Sequence, residues 1–235
     1  MTLTAAQLTG RDDSHLVELP CGQRLSQASA RAFGRLRRDA LEAGFELTIA
    51  SSFRSFYRQL AIFNGKASGQ RPVHDDRGMP VDARALSSLD RLHAILRFSA
   101  LPGGSRHHWG TDLDVFDAAA LPKDYRVQLT PAEVAPGGLF DPLHNWLDER
   151  MACGMSHGFF RPYAVDRGGV ACERWHLSYA PQSRACDTQW SPALLLQAWS
   201  GVELLLREEI EANLEGLLAR YIEVPGDWCP DLSKG

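Results

Sequence analysis

The stretch 105–117, SRHHWGTDLDVFD, sets two adjacent histidines and three aspartates around one glycine. Past Gly110 the residues alternate, so that in an extended strand Thr111, Leu113 and Val115 share one face while Asp112, Asp114 and Phe116 share the other. Carboxylates do not enter an apolar core unpaired. The acidic face therefore looks into a cleft or solvent, and the opposite face supplies core.

A second stretch, ERWHLSY at 173–179, repeats the pattern with Trp175, Leu177 and Tyr179 on one side and His176 on the other. A hydrolytic zinc site takes three protein ligands from His, Asp or Glu and leaves one position open for water. His107, Asp114 and His176 can supply that set. In E-R-W-H a carboxylate three residues before a histidine adds a candidate general base, Glu173. A strand regular back to Glu173 would put this carboxylate on the Trp175 face, the wrong side. The chain is thus expected to bend, bulge, or begin its strand only after Glu173.

Around these motifs the periodicity predicts a helix over 26–43, with Ala30, Phe33, Leu36, Ala40 and Leu41 near helical spacing and Gly44 as its stop. FELTIAS (45–51) alternates as a half-buried strand, and FRSFYRQLAIFNGK reads as a helix. Residues 68–85, rich in Gly, Pro, Asp and Arg, are an irregular excursion, a lid or merely a loop. Helices follow at 87–99 and 141–156. From 192 to 222 leucines recur at helical spacing among charges, which reads as a C-terminal helical extension over 190–223.

A length of 235 residues with 44% hydrophobic composition suits one well-buried domain with an appendage rather than two full domains. The net charge of -4 gives no footprint for nucleic acid. No apolar run reaches membrane-spanning length. The first fifteen residues lack the basic and apolar regions of a signal peptide. The five cysteines, Cys21, Cys153, Cys172, Cys186 and Cys229, are odd in number and scattered, so reduced thiols and a cytoplasmic location are expected. Cys172 is read as a small buried hydrophobe.

Three ordered blocks resemble the zinc D-alanyl-D-alanine carboxypeptidases and dipeptidases of the VanY/VanX type, whose fold is shared with the N-terminal domain of Hedgehog. The pattern S-x-H-x-x-G-x-A-x-D is matched by Ser105, His107, Gly110 and Asp114; E-x-W-H by Glu173, Trp175 and His176; and the strand-to-helix block by Ser52, Arg54, Ser55 and Gln59. The resemblance covers a peptidase core over 22–180 and is silent on the C-terminal helices.

It implies an α+β fold, a small mixed or antiparallel sheet with helices packed on it, and Zn2+ held by His107, Asp114 and His176. Glu173 would be the base, and Arg54 would stabilise the oxyanion or hold the substrate's terminal carboxylate. Ser105 and Gln59 would line the peptide groove. The implied activity is removal of a terminal D-amino acid, D-alanine first, from a cell-wall peptide or small D,D-peptide. The alternatives are a peptidoglycan endopeptidase and a non-catalytic zinc-stabilised peptide-binding module.

The sequence departs from the family at Asp112, where alanine is usual. Asp112 is expected to orient a ligand histidine through its second ring nitrogen, or to bind substrate by receiving an ammonium. His108, His15, His74, His93, His144 and His157 are read as structural, and Trp109 as a packing or groove residue.

Overall fold

The two alternating segments at 45–51 and 111–117 pair as neighbouring antiparallel strands in the computed structural model, which describes residues 2–225. Cys229 lies outside the described residues. A short helix α1 (Ala5–Leu8) and a ribbon of β1 (Leu16–Glu18) with β2 (Arg24–Ser26) lead into α2 (Gln27–Glu42). Ser26 caps α2 by accepting from the Ser29 amide, and Gly44 at φ 91° ends it, a left-handed conformation that suits glycine. Ala32, Phe33, Leu36 and Ala40 form its buried stripe. Leu41, expected on that stripe, sits one residue round the helix and is 69% exposed.

Strand β3 (Leu47–Ser51) is followed by α3 (Phe56–Ala67), capped by Ser55, then by the hairpin of β4 (Val73–His74) and β5 (Pro80–Val81) and helix α4 (Ser88–Leu96). The excursion at 68–85 thus carries a two-stranded ribbon. Next come β6 (Asp112–Asp117), a single turn α5 (Pro131–Val134), α6 (Asp141–Ala152), β7 (Phe159–Phe160) and β8 (His176–Tyr179). The strands β3-β6-β8-β7 form one sheet in that order, antiparallel throughout. Of the two sheet types expected, the antiparallel one is present.

The pleat sorts the side chains. Leu47, Ile49, Leu113, Val115 and Leu177 turn to one face and pack with α2 and with Leu143 and Leu147 of α6. Asp112, Asp114, His176 and Ser178 turn to the other. Trp175 parts from Leu177: it packs with Val134 and Phe140 in a separate cluster, because the strand begins only at His176.

The C-terminal leucines do not form one helix. After α7 (Ala180–Asp187) the segment is broken into α8 (Pro192–Ala198), α9 (Arg207–Ala212), α10 (Leu214–Leu217) and a π-helical turn over Leu218–Ile222, with Gly201 (φ 72°) and Leu206 (φ 59°) in left-handed conformations between α8 and α9. Leu195, Trp199, Ile210, Leu217 and Ile222 share a single core with Phe56 and Phe63 of α3 and Ile95 of α4. Burying each such side chain contributes roughly 1.5–3 kcal/mol, so these helices help hold α3 in place. Among the described residues no helix is long and apolar enough to cross a membrane.

Candidate metal centre

A cavity of about 360 Å³ opens between the polar face of the sheet and the α3 side of the molecule. His107, Asp114 and His176 meet at its floor, each offering one ligand atom, all within 4.8 Å of one another. His107 comes from a single 3-10 turn, Arg106–His108, and Asp114 and His176 are paired across the β6–β8 ladder.

Hydrogen bonds behind the rings fix which nitrogens face inward. His107 Nδ1 lies 2.9 Å from the Ser52 carbonyl, which can only accept, so Nδ1 carries the hydrogen and Nε2 keeps its lone pair. His176 Nε2 lies 3.0 Å from Asp112 Oδ1, which leaves Nδ1 for the cavity. Those free nitrogens are the ones beside Asp114: His107 Nε2 is 3.4 Å from Oδ2 and His176 Nδ1 is 3.3 Å from Oδ1. Ligands at zinc distances of about 2.0–2.1 Å in a tetrahedron stand roughly 3.4 Å apart. Asp114 Oδ1 is buried and meets no donor in hydrogen-bonding geometry, an arrangement costly without a cation. The donor set therefore fits a zinc ion with a position left open toward the cavity.

Charge points the same way. Burial disfavours a charged imidazole at His176, but the surrounding carboxylates of Asp112, Asp114 and Glu173 outweigh that and push it well above the usual histidine range. Burial likewise opposes ionisation of Asp114, yet His107 and His176 hold it well below the carboxylate range. The site is a sink for positive charge.

Glu173 is brought to this face by a turn. The His176 amide donates to the Glu173 carbonyl at 3.1 Å, so the segment before β8 is not extended. Its Oε2 ends 3.5 Å from His176 Nδ1, and the side chain lines the cavity, 13% exposed. Arg174 pairs with Asp141 and Asp148 instead of Glu173.

Arg54 and Ser105 also line the cavity. Arg54 Nη1 donates to Gln59 Oε1 at 2.9 Å and Nη2 to Ser51 Oγ at 3.3 Å. Burial weighs against its charge, partly relieved by Asp114 and Glu173. Gln59 corrects the expectation of a groove residue. It is fully buried behind Arg54, and its Nε2 donates to the Ala100 carbonyl at 2.7 Å, so it braces the arginine and has no surface for substrate.

Asp112 likewise cannot receive a substrate ammonium. It is 0% exposed, its oxygens taken by Arg106, Thr111 and His176. Of its two expected roles, only orientation of a histidine matches this geometry. Arg106, itself buried, completes the layer by donating to Asp187 and to Ser178 Oγ.

His108 is fully buried, bonded to the Arg54 carbonyl and the Gly103 amide and pushed down to about 3 by burial. Trp109 is a packing residue against Leu3, Leu8 and Cys186. Cys172 is exposed, contrary to its expected burial. Three cavity features escaped the sequence reading, Lys66, Tyr163 and the loop Gln128 to Pro131, while His74, Asp75 and Gly78 of the excursion read as a lid or a loop also line it. Tyr163 packs edge-on against His176 at 5.1 Å between centroids, and nothing in its R-P-Y context announces that. Lys66 carried a signal, since it follows Gln59 by seven residues on one helical face.

A family model described as D-alanyl-D-alanine carboxypeptidase, VanY, matches residues 22–182. Two uncharacterised proteins of Haemophilus influenzae are similar in sequence. One is 36% identical over 124 residues, 52% of this chain and 92% of the relative; the other is 44% identical over 105 residues, 43% and 72% respectively. Among solved structures, VanYB in complex with D-alanine-D-alanine aligns with a TM-score of 0.52 at 21% identity, covering 85% of this chain and 90% of that one. The LdcB LD-carboxypeptidase aligns at 0.52 and 20% identity, covering 86% and 80%. A VanY D,D-pentapeptidase from a VanB-type resistance cassette, in complex with Zn(II), aligns at 0.51 and 22% identity, covering 84% and 90%. At these identities the structures speak for a common fold.

Proposed function

The chain belongs to the VanY D-alanyl-D-alanine carboxypeptidase family, an enzyme family, and from that premise we propose that it is a zinc-dependent carboxypeptidase removing a terminal D-amino acid, D-alanine first, from soluble cell-wall-derived peptides. One observation carries the reading: His107, Asp114 and His176 converge with an unpartnered carboxylate oxygen among them, and Glu173 stands unpaired with any arginine beside them.

His107, Asp114 and His176 would hold a zinc ion, which would supply Lewis acidity toward a carbonyl oxygen and a water molecule. Glu173 takes the proton from the attacking water and returns it to the departing amine. Asp112 and the Ser52 carbonyl hold the two imidazoles in the tautomers that present lone pairs inward. Arg54, braced by Gln59, supplies donors for developing negative charge or for the substrate's carboxylate. Ser105 contributes a polar wall.

Replacement of Glu173 by Gln tests the reading, with zinc measured by metal analysis and products of a muropeptide digest by mass spectrometry. The expected result is full zinc occupancy with hydrolysis lowered by roughly 10²-fold or more. Equal rates before and after the change refute the assigned base. Zinc-loaded native protein that binds D-Ala-ending peptides without cleaving them marks a binding module instead.

A further inference from the structure

Two cations line the cavity with no carboxylate at ion-pair distance among the described residues. Arg54 spends two nitrogens on neutral oxygens. Lys66, in the last turn of α3, makes no hydrogen bond or ion pair there, although Glu173 and Arg54 are near enough to act on its charge. The third cation of the wall, Arg106, is already balanced by Asp112 and Asp187.

The carboxylates of the cavity are committed elsewhere. Asp114 and Glu173 together offset the two charges of a zinc ion. Asp75 accepts from the backbone amides of Arg77 and Met79. Even with Asp75 set against one of the two free cations, a single positive charge remains, which one carboxylate would neutralise. Seven residues after Gln59 is two turns, so Lys66 lies on the same face of α3 about 10 Å further along, and its side chain lines the same cavity as Arg54. Burial pushes the Lys66 ammonium down to about 8, against the attraction of Glu173 and with Arg54 and Arg71 adding repulsion. A cation kept at that cost suits a site that receives an anion.

We propose that Lys66 and Arg54 jointly receive the free C-terminal carboxylate of the peptide, Arg54 through its fork of donors and Lys66 as a point charge, so that Lys66 restricts the enzyme to chain ends. This rests on the peptidase reading above. An endopeptidase substrate, which continues past this point as an amide, offers the pair no charge.

The test uses zinc-loaded protein carrying Glu173→Gln, titrated calorimetrically with D-Ala-D-Ala and with its C-terminal amide, alone and combined with Lys66→Met or Lys66→Arg. The free acid is expected to bind at least about tenfold more tightly than the amide. Lys66→Met should abolish most of that preference by weakening the acid alone, and Lys66→Arg should keep most of it. If Lys66→Met loses zinc, Lys66→Gln is read in its place. Equal weakening of acid and amide, an unchanged affinity for the acid, or no binding of either peptide overturns the proposal. Native enzyme assayed on the same pair separates the two readings. Failure to cleave either peptide while the acid preference holds in the titration sinks the peptidase and leaves the carboxylate site standing. Equal cleavage of acid and amide by the native enzyme, with Lys66→Met changing neither rate, sinks the carboxylate site alone.

Discussion

Asp112 Oδ1 lies 3.0 Å from His176 Nε2, on the side of the ring turned away from the cavity. The carboxylate is itself fixed by Arg106 Nε at 2.8 Å and by the Thr111 hydroxyl at 2.5 Å. The extra aspartate of the motif is therefore placed to act through the histidine. Loss of such an outer partner typically lowers metal affinity about 10–100-fold. Asp112→Asn should do so in a chelator competition, while Glu173→Gln should leave affinity intact. Asp112→Ala should in addition lower the melting temperature, because Arg106 is left with Asp187 alone, and breaking a buried pair costs about 3–5 kcal/mol. Unchanged affinity in both variants removes the orienting role.

Gly110 joins the turn bearing His107 to the strand bearing Asp114, at φ 70°. A Cβ there would lie 2.2 Å from Leu16 Cδ2 and 3.0 Å from the Ser26 amide nitrogen, and that amide donates to the Gly110 carbonyl. The position requires glycine both for its backbone and for the close approach of β2. Gly110→Ala should cost roughly 1–3 kcal/mol in chemical denaturation. Zinc affinity should fall with it, since the displaced turn carries a ligand.

Arg97 ties the ribbon at the cavity rim to the opposite loop. Its guanidinium donates to both oxygens of Asp76, both of Asp166, and the Gly169 carbonyl. Asp76 and Asp166 are 62% and 46% exposed, so each pair is worth only about 0.2–1 kcal/mol. Together they still bias the ribbon by a factor of several, up to about 30 if the full 2 kcal/mol applies. Arg97→Met should leave kcat near native and raise KM several-fold, with faster amide exchange over residues 73–81. Unaltered exchange there would show that the ribbon is held by other contacts.

The motifs were readable because their chemistry is local. Alternation along 111–117 put Asp112 and Asp114 on one face without any knowledge of the partner strand, and β8 placed His176 beside Asp114. The conflict at Glu173 was also visible, as a carboxylate on the wrong side of a regular strand, and the turn closed by the His176 amide resolves it. Misreadings arose where a side chain's role depends on what lies beyond its own segment. Gln59 has the polarity of a groove residue, but Arg54 and the Ala100 carbonyl enclose it. The leucines of 192–222 show their helical period and not the surface they meet, which is the core of α3 and α4. Lys66 shares the helical face of Gln59, but sequence does not reveal what that end of the helix overlooks.

Lys66 should write itself into the pH profile. Burial holds its pKa at about 8, with Glu173 raising it and Arg54 and Arg71 lowering it; His74 and Asp75 also face the cavity. Below that value the ammonium is charged and available to a carboxylate; above it the charge is lost as pH rises. The ratio kcat/KM follows groups of the free enzyme. For a free-acid peptide it should therefore fall above about pH 8, approaching tenfold per pH unit for a single deprotonation if binding requires the charge. A C-terminal amide lacks the partner charge and should show no such limb, and Lys66→Met should remove the limb from the acid while lowering its plateau. A limb of equal size for acid and amide would assign it to a group other than Lys66. The comparison of the two substrates across pH 7–10 thus isolates the ammonium from everything else that titrates in the cavity.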